Sequence, residues 1–420
     1  MRFLFLTQYF PPEIGAPQVR LAAMVRQLVR SGHQVEIVTA LPNHPTGRIF
    51  PGYRRSVYRR ETWEGVLVHR VWLYPSLGAG FKRMLSYASF TATSFLGLVR
   101  AKRPDYVFVE SPPLFLSIPG WIAARYWRVP MVFNVADLWP DSVRELGILR
   151  EGLVLRLAER LERWTYRRAS YVNVVTEGIR NVLVEKKAVP EQKVLFLPNG
   201  VDTELFKPQE PDEEIIREWQ LQDKKVILYA GTLGYAQGLD VALDAMKLIQ
   251  TEIPEALLVF VGDGSDKERL VRRAKEERMS NVRFIPPHPP EYVARLYSTA
   301  YAGFASLKRL PLFEGARPSK LFPIMASGKP VLYSGSGEAA RLIEQARAGL
   351  IAPPENPHAL AEAMRILLQR PELAQSLGLN GRQYAEAHFS WNSLVQDWLV
   401  QLTRGSSLCG LVQKAGRSSA

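Results

Sequence analysis

The sequence predicts an α/β protein made of two doubly wound domains. Three observations carry that prediction. Short apolar runs alternate with longer stretches of helical periodicity, the rhythm of a parallel sheet covered on both faces. The rhythm runs through the first half of the chain and restarts near residue 225. Of the 420 residues, 47% are apolar, which is enough to fill more than one large core.

The first series opens with RFLFLT (2–7), continues with a helix from about Pro17 to Ser31, and returns in QVEIVTA (34–40). YVFVE (106–110), MVFNVAD (131–137) and YVNVVT (171–176) extend it, with helices between them. Proline, glycine and aspartate gather in LPNGVDTELFKPQEPDEE (197–214) and mark a linker. The second series starts at KVILYAGTLG (225–234), whose strand opens into a glycine turn before the helical pattern LDVALDAMKLIQ (239–250). It goes on through ALLVFVGDGSD (256–266), VRFIPP (282–287), AYAGFAS (300–306) and PVLYSG (330–335). These breaks predict a first domain over 1–203, a second over 204–388, a terminal helix over 389–404 expected to pack back toward the first domain, and a frayed tail over 405–420.

Composition narrows the function. Cys409 is the single cysteine, so the chain has no intramolecular disulfide and fits a reducing compartment. In MRFLFLTQYFPP the apolar run is too short, and the proline pair too early, for a secretory signal. No run reaches the roughly 18 apolar residues of a spanning helix, so a cytoplasmic, non-integral protein is expected. The net charge of +13 is unevenly placed: residues 1–200 carry 28 Lys and Arg against 15 Asp and Glu, whereas 201–420 carry 26 against 26. A basic half suits a phosphorylated substrate or an anionic membrane. Nucleic acid is excluded as a partner, because no reader motif accompanies the arginines.

Open α/β sheets bind ligands beyond the carboxyl ends of their strands, and the candidate residues fall there, facing an expected cleft between the domains. After the first strand, TQYFPPEIGAPQVR offers Gly15 and Ala16, which permit a close backbone approach at a helix start; an ordinary proline loop would look the same. In YAGTLGYAQG, Gly231 and Gly234 free the backbone and Thr232 can donate to a phosphate oxygen, unless this is a plain tight turn. SLKRLPLFEGARPSK brings Lys308, Arg309, Arg317 and Lys320 ahead of a helix predicted to begin at a Ser319 cap, a combination that favours an anion and above all phosphate. Glu338 lies at another predicted helix start, where it either complements the dipole or accepts from ribose hydroxyls. Glu110 and Asp137 each close an apolar strand and serve either a site or the capping of the next loop. No spacing of His, Cys, Asp or Glu predicts a metal. FKRMLSYASFTATSFLGLVRAKR (81–103) and the arginine-rich amphipathic LREGLVLRLAERLERWTYRR (149–168) are either core helices or helices that lie on an anionic bilayer.

Six pieces in order, QYFPPEIGAPQVRLAAM, ALPNHPTGRI, DLWPDSVRELG, LPNGVDTELF, YAGTLGYAQGLD and PSKLFPIMASGKPVL, resemble family 4 of the glycosyltransferases over about residues 1–403. The architecture that this resemblance implies is GT-B, two Rossmann-like domains facing across a cleft, and the pieces look like the bacterial branch of fucosamine transferases in capsule and lipopolysaccharide assembly. It further implies a retaining, metal-independent transfer from a nucleotide-diphosphate sugar, without cofactor, to a lipid-linked or oligosaccharide acceptor at the inner face of the plasma membrane. On that basis Asp137, Glu110, Lys320 and Arg317 are the expected catalytic residues, and Gly15, Ala16, Gly231, Thr232, Gly234, Ser319 and Glu338 the expected donor-binding residues. The chain departs from the family at three places. Gly315 and Pro323 stand where many members have two glutamates, with Glu314 one residue out of register. Thr232, Tyr235 and Gln237 lie where an Arg/Lys pair is common, and Asp137 replaces a frequent histidine. The alternatives are an inactive relative that scaffolds glycan assembly, to which the lost glutamates point, and a nucleotide-sugar 2-epimerase, against which the basic first half speaks.

Overall fold

The computed structural model describes residues 1–13, 15–44, 46–76, 80–145 and 152–415. They form two compact units, Met1–Pro198 with Leu394–Ala420, and Asn199–Ser393. The boundary after Pro198 precedes the predicted linker break at 203. Val201 already belongs to the second unit, bonded through its backbone to Phe389 and Trp391.

Unit 1 contains β1 (Arg2–Leu6), β2 (Gln34–Ala40), β3 (Tyr58–Trp63), β4 (Val66–Val71), β5 (Tyr106–Ser111), β6 (Met131–Val135), β7 (Tyr171–Val174) and β8 (Val194–Phe196). They make one sheet in the order β3-β4-β2-β1-β5-β6-β7-β8, parallel throughout except for the β3–β4 hairpin at one edge. The central strands are mostly apolar because helices bury both of their faces, and polar residues within them such as Glu36, Glu110, Asn134 and Asn173 are buried too. The hairpin escaped the sequence reading because β3, with Arg59, Arg60 and Glu61 in a row, is a half-exposed edge strand without an apolar run. Its turn is the Glu64-Gly65 pair, both with positive φ, as the twist of a two-residue hairpin demands.

Unit 2 contains β9 (Lys225–Ala230), β10 (Ala256–Val261), β11 (Val282–Ile285), β12 (Ala302–Ser306), β13 (Val331–Ser334) and β14 (Gly349–Ala352), in the all-parallel order β11-β10-β9-β12-β13-β14. Alternation along β9 feeds two cores: Val226 and Leu228 pack on one face of the sheet, Ile227 and Tyr229 on the other. Both sheets are thus Rossmann-like. In each, the strand order reverses once, between β1 and β5 and between β9 and β12, where an open α/β sheet leaves a crevice. β9 and β12 pair only at Ile227–Ala302 and Leu228–Gly303.

The terminal helix is described from Trp391 to Ala415, so its backbone stays helical past the predicted end at 404. Leu394 and the residues after it belong to unit 1. Trp398 is fully buried between the rings of Phe3 and Phe108, and its indole N–H donates to Asn173 Oδ1 at 3.0 Å. Gln401 bonds both the N–H and the C=O of Phe196, at 2.9 and 3.1 Å, and so closes the polar edge of β8.

Of the two segments with basic ends, Phe81–Leu98 is a packed helix whose Phe90 and Leu98 are buried. The other begins within the described residues at Leu153, and residues 149–151 of the predicted segment lie outside them. Among the described residues no helix is long and apolar enough to cross a membrane.

Candidate active site

In unit 2 the residues after β9 and β12 build the site around Lys320. Gly231 ends β9 with φ at +148°, a conformation that suits glycine, and a Cβ there would lie 3.1 Å from Lys320 Cε. Gly262, at the end of β10 with φ at +143°, lets the next loop approach so closely that any side chain would run into the Gly231 carbonyl. The Lys320 ammonium is thereby held 4.8 Å from the ring centroid of Tyr229, whose hydroxyl donates to the Thr232 carbonyl at 2.6 Å. Tyr229 is fully buried, so the cation rests on a fixed aromatic floor.

No carboxylate pairs with Lys320 among the described residues. The surrounding loops partly desolvate its ammonium, although the side chain keeps some exposure, and lower its pKa from the ordinary 10.5 to about 8. An amine in this condition gains from any anion that replaces the lost water, and a phosphate oxygen is the natural one. Gly231 and Thr232, which follow β9, are exposed. Gly234 donates its N–H to Gln237 Oε1 at 3.1 Å, which fixes the turn.

Lys308 follows β12 and lies over the ring of Tyr235, its Nζ 3.1 Å from the centroid. Arg309 is turned toward the loop at 354–355, where its backbone N–H donates to Glu355 and its guanidinium to the Pro354 carbonyl. Four cations therefore do not converge. Arg317 and Glu338, predicted to meet a ligand separately, are joined instead: Arg317 Nε lies 2.5 Å from Glu338 Oε1 at the start of the helix Gly337–Ala346. Glu314, the acid next to the family's glutamate position, accepts from Ser336 Oγ at 2.5 Å.

The predicted Ser319 cap is corrected. The helix is Leu321–Ala326, its cap position is Lys320, and no side chain bonds its first turn. Ser319 is exposed in the preceding turn, in which Pro318 accepts from the Leu321 N–H. The other end is as the sequence implied: Gly328, at φ +67°, and Lys329 return their N–H groups to Met325 and Ile324, and Pro330 follows.

In unit 1 the loop after β1 is held by a residue that the sequence reading passed over. Glu13 is buried, and its Oε1 accepts from the backbone N–H groups of Asn43 and His44 at 2.7 and 2.8 Å. Burial pushes its carboxyl up to about 7 against the pull of these bonds. An acid between a proline pair and a glycine was the available signal. Gly15 precedes the helix Ala16–Arg30 in an extended conformation, where a Cβ would meet the buried Gln18 Oε1 at 2.6 Å. Ala16 opens that helix, and its side chain lies outside the described residues. Arg83 stands over the rings of Tyr9 and Tyr87, donates to both hydroxyls and reaches the Ser76 carbonyl at 3.1 Å.

The two strand-end carboxylates part company. Glu110 is 2% exposed; one oxygen is ion-paired with Arg20 and the other accepts from Asn134 Nδ2 at 3.0 Å. Asn134 accepts in turn from Asn173, at 2.6 Å, so Glu110 belongs to a buried polar line that ends on Trp398. That corrects its expected catalytic role: both oxygens are occupied inside the sheet. Asp137 is exposed beyond β6 and accepts from Ser142 Oγ at 3.0 Å, so it remains accessible. Among the described residues no group of three or more His, Cys, Asp and Glu side chains is placed to hold a metal ion.

Comparison with known proteins supplies the context. Residues 15–200 match the family described as "Glycosyl transferase 4-like domain", and residues 211–384 match "Glycosyl transferases group 1". The putative colanic acid biosynthesis glycosyl transferase WcaI of Escherichia coli K12 is 27% identical over 412 residues, 95% of this chain and 99% of that protein. Sucrose-phosphate synthase of Thermosynechococcus elongatus superposes with a TM-score of 0.75 at 18% identity, covering 97% of this chain and 99% of its own. Anabaena HepE in complex with UDP-glucose gives 0.72 at 17% identity, covering 96% of this chain and 100% of its own.

The state of Lys320 predicts a pH-dependent stability. Below about pH 8 it is charged in both the folded and the unfolded chain, and the full cost of desolvation is present. Between 8 and 10.5 the unfolded chain binds more protons, so stability rises with pH through that window. Lys320→Met should therefore raise the melting temperature of the ligand-free protein at pH 7, by about 2–4 °C per kcal/mol relieved. The gain should shrink by pH 10. Calorimetry at both pH values checks this, and a lower melting temperature for the variant at pH 7 would contradict it.

Proposed function

Since the chain belongs to family 4 of the glycosyltransferases, in the GT-B architecture, we propose that it moves a sugar from a nucleotide-diphosphate sugar to a lipid-linked glycan acceptor in surface polysaccharide assembly. The reading is of a retaining transfer that needs no metal, with unit 2 holding the donor and unit 1 the acceptor, at the inner face of the plasma membrane. The observation that carries it is Lys320, a partly exposed ammonium with an aromatic floor, a lowered pKa and no carboxylate partner among the described residues. Breaking the bond from sugar to diphosphate leaves negative charge on the leaving group. A cation that is held in place and already partly desolvated stabilises this charge with little reorganisation.

The neighbouring groups take defined roles in this reading. The Thr232 hydroxyl and the exposed backbone at Gly231 approach the same phosphates. Arg317 reaches them on leaving Glu338, which then accepts from the ribose. In unit 1, Asp137 is the exposed carboxylate beside the acceptor, and Gly15 lets the donor sugar approach the helix start. WcaI is named for colanic acid biosynthesis and the HepE complex for UDP-glucose; both support a nucleotide sugar and a polysaccharide product.

The reading is tested by a thermal-shift series with UDP-, GDP- and dTDP-sugars. The correct donor at 100 times its dissociation constant should stabilise the protein by about 2.7 kcal/mol. Silence toward all of them would favour the scaffold, to which Gly315 and Pro323 in place of the family's glutamates point. With the donor known, Lys320→Ala should lower kcat by about 100–1,000-fold, as loss of an oxyanion donor does. Lys308→Ala should cost much less, because Lys308 lies on Tyr235 at the rim. Turnover unchanged in Lys320→Ala would remove the lysine from the mechanism. Transfer should also persist in EDTA, since fixed side-chain cations take the place of a metal at the diphosphate. Loss of activity that added divalent ion restores would refute this.

A further inference from the structure

We propose that the helix Leu153–Arg168, with the adjoining helix Ser117–Trp127, is the face by which this protein lies on an anionic lipid bilayer. The proposal rests on the membrane-associated reading above and names the surface that reading leaves open. The core side of Leu153–Arg168 is formed by Leu155, Ala158, Glu162, Thr165 and Tyr166, all buried. The opposite side carries two bands. Arg156, Arg160, Arg163 and Arg167 recur at i, i+4, i+7 and i+11 and are exposed. Beside them run Leu153, Leu157 and Trp164, at i, i+4 and i+11. Leu153 and Leu157 are 66% and 51% exposed.

The acids of this helix do not neutralise its arginines. Glu159 lies 3.3 Å from Arg144, and Glu162 is buried against Lys187 at 2.8 Å. None of Arg156, Arg160, Arg163, Arg167 and Arg168 is paired with a carboxylate among the described residues. Arg160, Arg163, Trp164, Arg167 and Arg168 line an open hollow of about 520 Å³. The surface continues onto the second helix, where Trp121 meets Trp164 at 5.4 Å between ring centroids and Arg168 lies 5.5 Å above Trp121. There Ile122 and Tyr126 are 41% and 81% exposed.

An anionic bilayer satisfies both bands at once. Guanidinium groups engage lipid phosphates, and leucine and aromatic side chains enter the boundary between headgroups and acyl chains. A nucleic acid would take the charge and leave Leu153 and Leu157 in water. The helix Phe81–Leu98 also exposes Phe81 and Leu85, but Arg83 there is turned onto Tyr9 and Tyr87, so it presents no band of arginines beside them.

The test uses the full chain and vesicles of phosphatidylcholine with or without phosphatidylglycerol. Wild type should co-sediment with the anionic vesicles and much less with the neutral ones. The combined variant Arg160→Glu, Arg163→Glu, Arg167→Glu and Arg168→Glu should lose more than about tenfold in partitioning. A control with the same charge change, Arg48→Glu, Arg55→Glu, Arg60→Glu and Arg103→Glu, should lose far less. Equal loss in the two variants overturns the proposed face while membrane association stands. Failure of wild type to bind overturns the membrane reading itself, and the face with it. A second measurement does not depend on the charge variants folding. Cys409 is the single cysteine, so Cys409→Ser with Leu157→Cys carries one environment-sensitive fluorophore. Its emission should shift to the blue on anionic vesicles, while a label introduced by Val57→Cys stays unchanged. Vesicle binding with a silent label at 157 overturns the proposal.

Discussion

An ammonium that is partly stripped of water and has no carboxylate beside it among the described residues is unfavourable in a protein, and the loops of unit 2 hold one in that state. The partly exposed Lys320 rests on the face of Tyr229, which replaces part of its hydration. Its position depends on backbones that approach too closely for side chains, at Gly231 and Gly262. The three loop segments involved follow β9, β10 and β12, so the parallel order of the sheet brings them to the same edge. The fold thus concentrates positive charge at a strand end and withholds its counter-ion. That arrangement lowers the stability of the empty protein and favours an anionic ligand.

The same constraint is resolved in the opposite way in unit 1. Glu110 also ends a parallel strand, yet Arg20 and Asn134 occupy both of its oxygens and Asn173 extends the line to Trp398. A buried ion pair whose remaining valences are filled ties elements together and leaves nothing for a substrate. Glu13 is intermediate. It is enclosed, it binds two backbone N–H groups from the loop after β2, and its carboxyl is poised near neutrality. Two acids near strand ends, Glu110 and Glu13, therefore differ in role because their neighbours differ, which residue type alone cannot convey.

That difference explains what could be read in the sequence. Mostly apolar runs marked ten of the fourteen strands among the described residues, because a parallel sheet needs no alternation to be recognised. The edge strand β3 lacks such a run, and β8 (VLF) and β14 (GLIA) are apolar but only three and four residues long. β4, though apolar, was hidden in the hairpin it shares with β3. Lys320 was legible because a cation before an apolar helix is a local pattern. Its state was not, since Tyr229 lies ninety-one positions earlier and the burial comes from three separate loops. The Ser319 cap failed for a local reason: Pro318 and Lys320 already make the turn, and the helix starts one residue later than a serine cap requires. The union of Arg317 with Glu338 is likewise a property of folding, since the two come from different loops.

The order of the units along the chain bears on how the protein is made. Unit 1 consists of Met1–Pro198 and Leu394–Ala420, with the whole of unit 2 between them. During synthesis the first eight strands leave the ribosome long before Trp398 exists. Until then Phe3 and Phe108 lack the ring that covers them, Asn173 lacks the indole N–H, and the edge of β8 lacks Gln401. Unit 2 is continuous and is complete as soon as it has been translated. The second unit in sequence is therefore the first that can finish folding, while the first waits with an apolar seam uncovered and an unpaired strand edge. Those are the features that chaperones recognise. The last helix acts as the closing step of biogenesis, and a nascent chain stalled before it would expose the protein's most aggregation-prone surface.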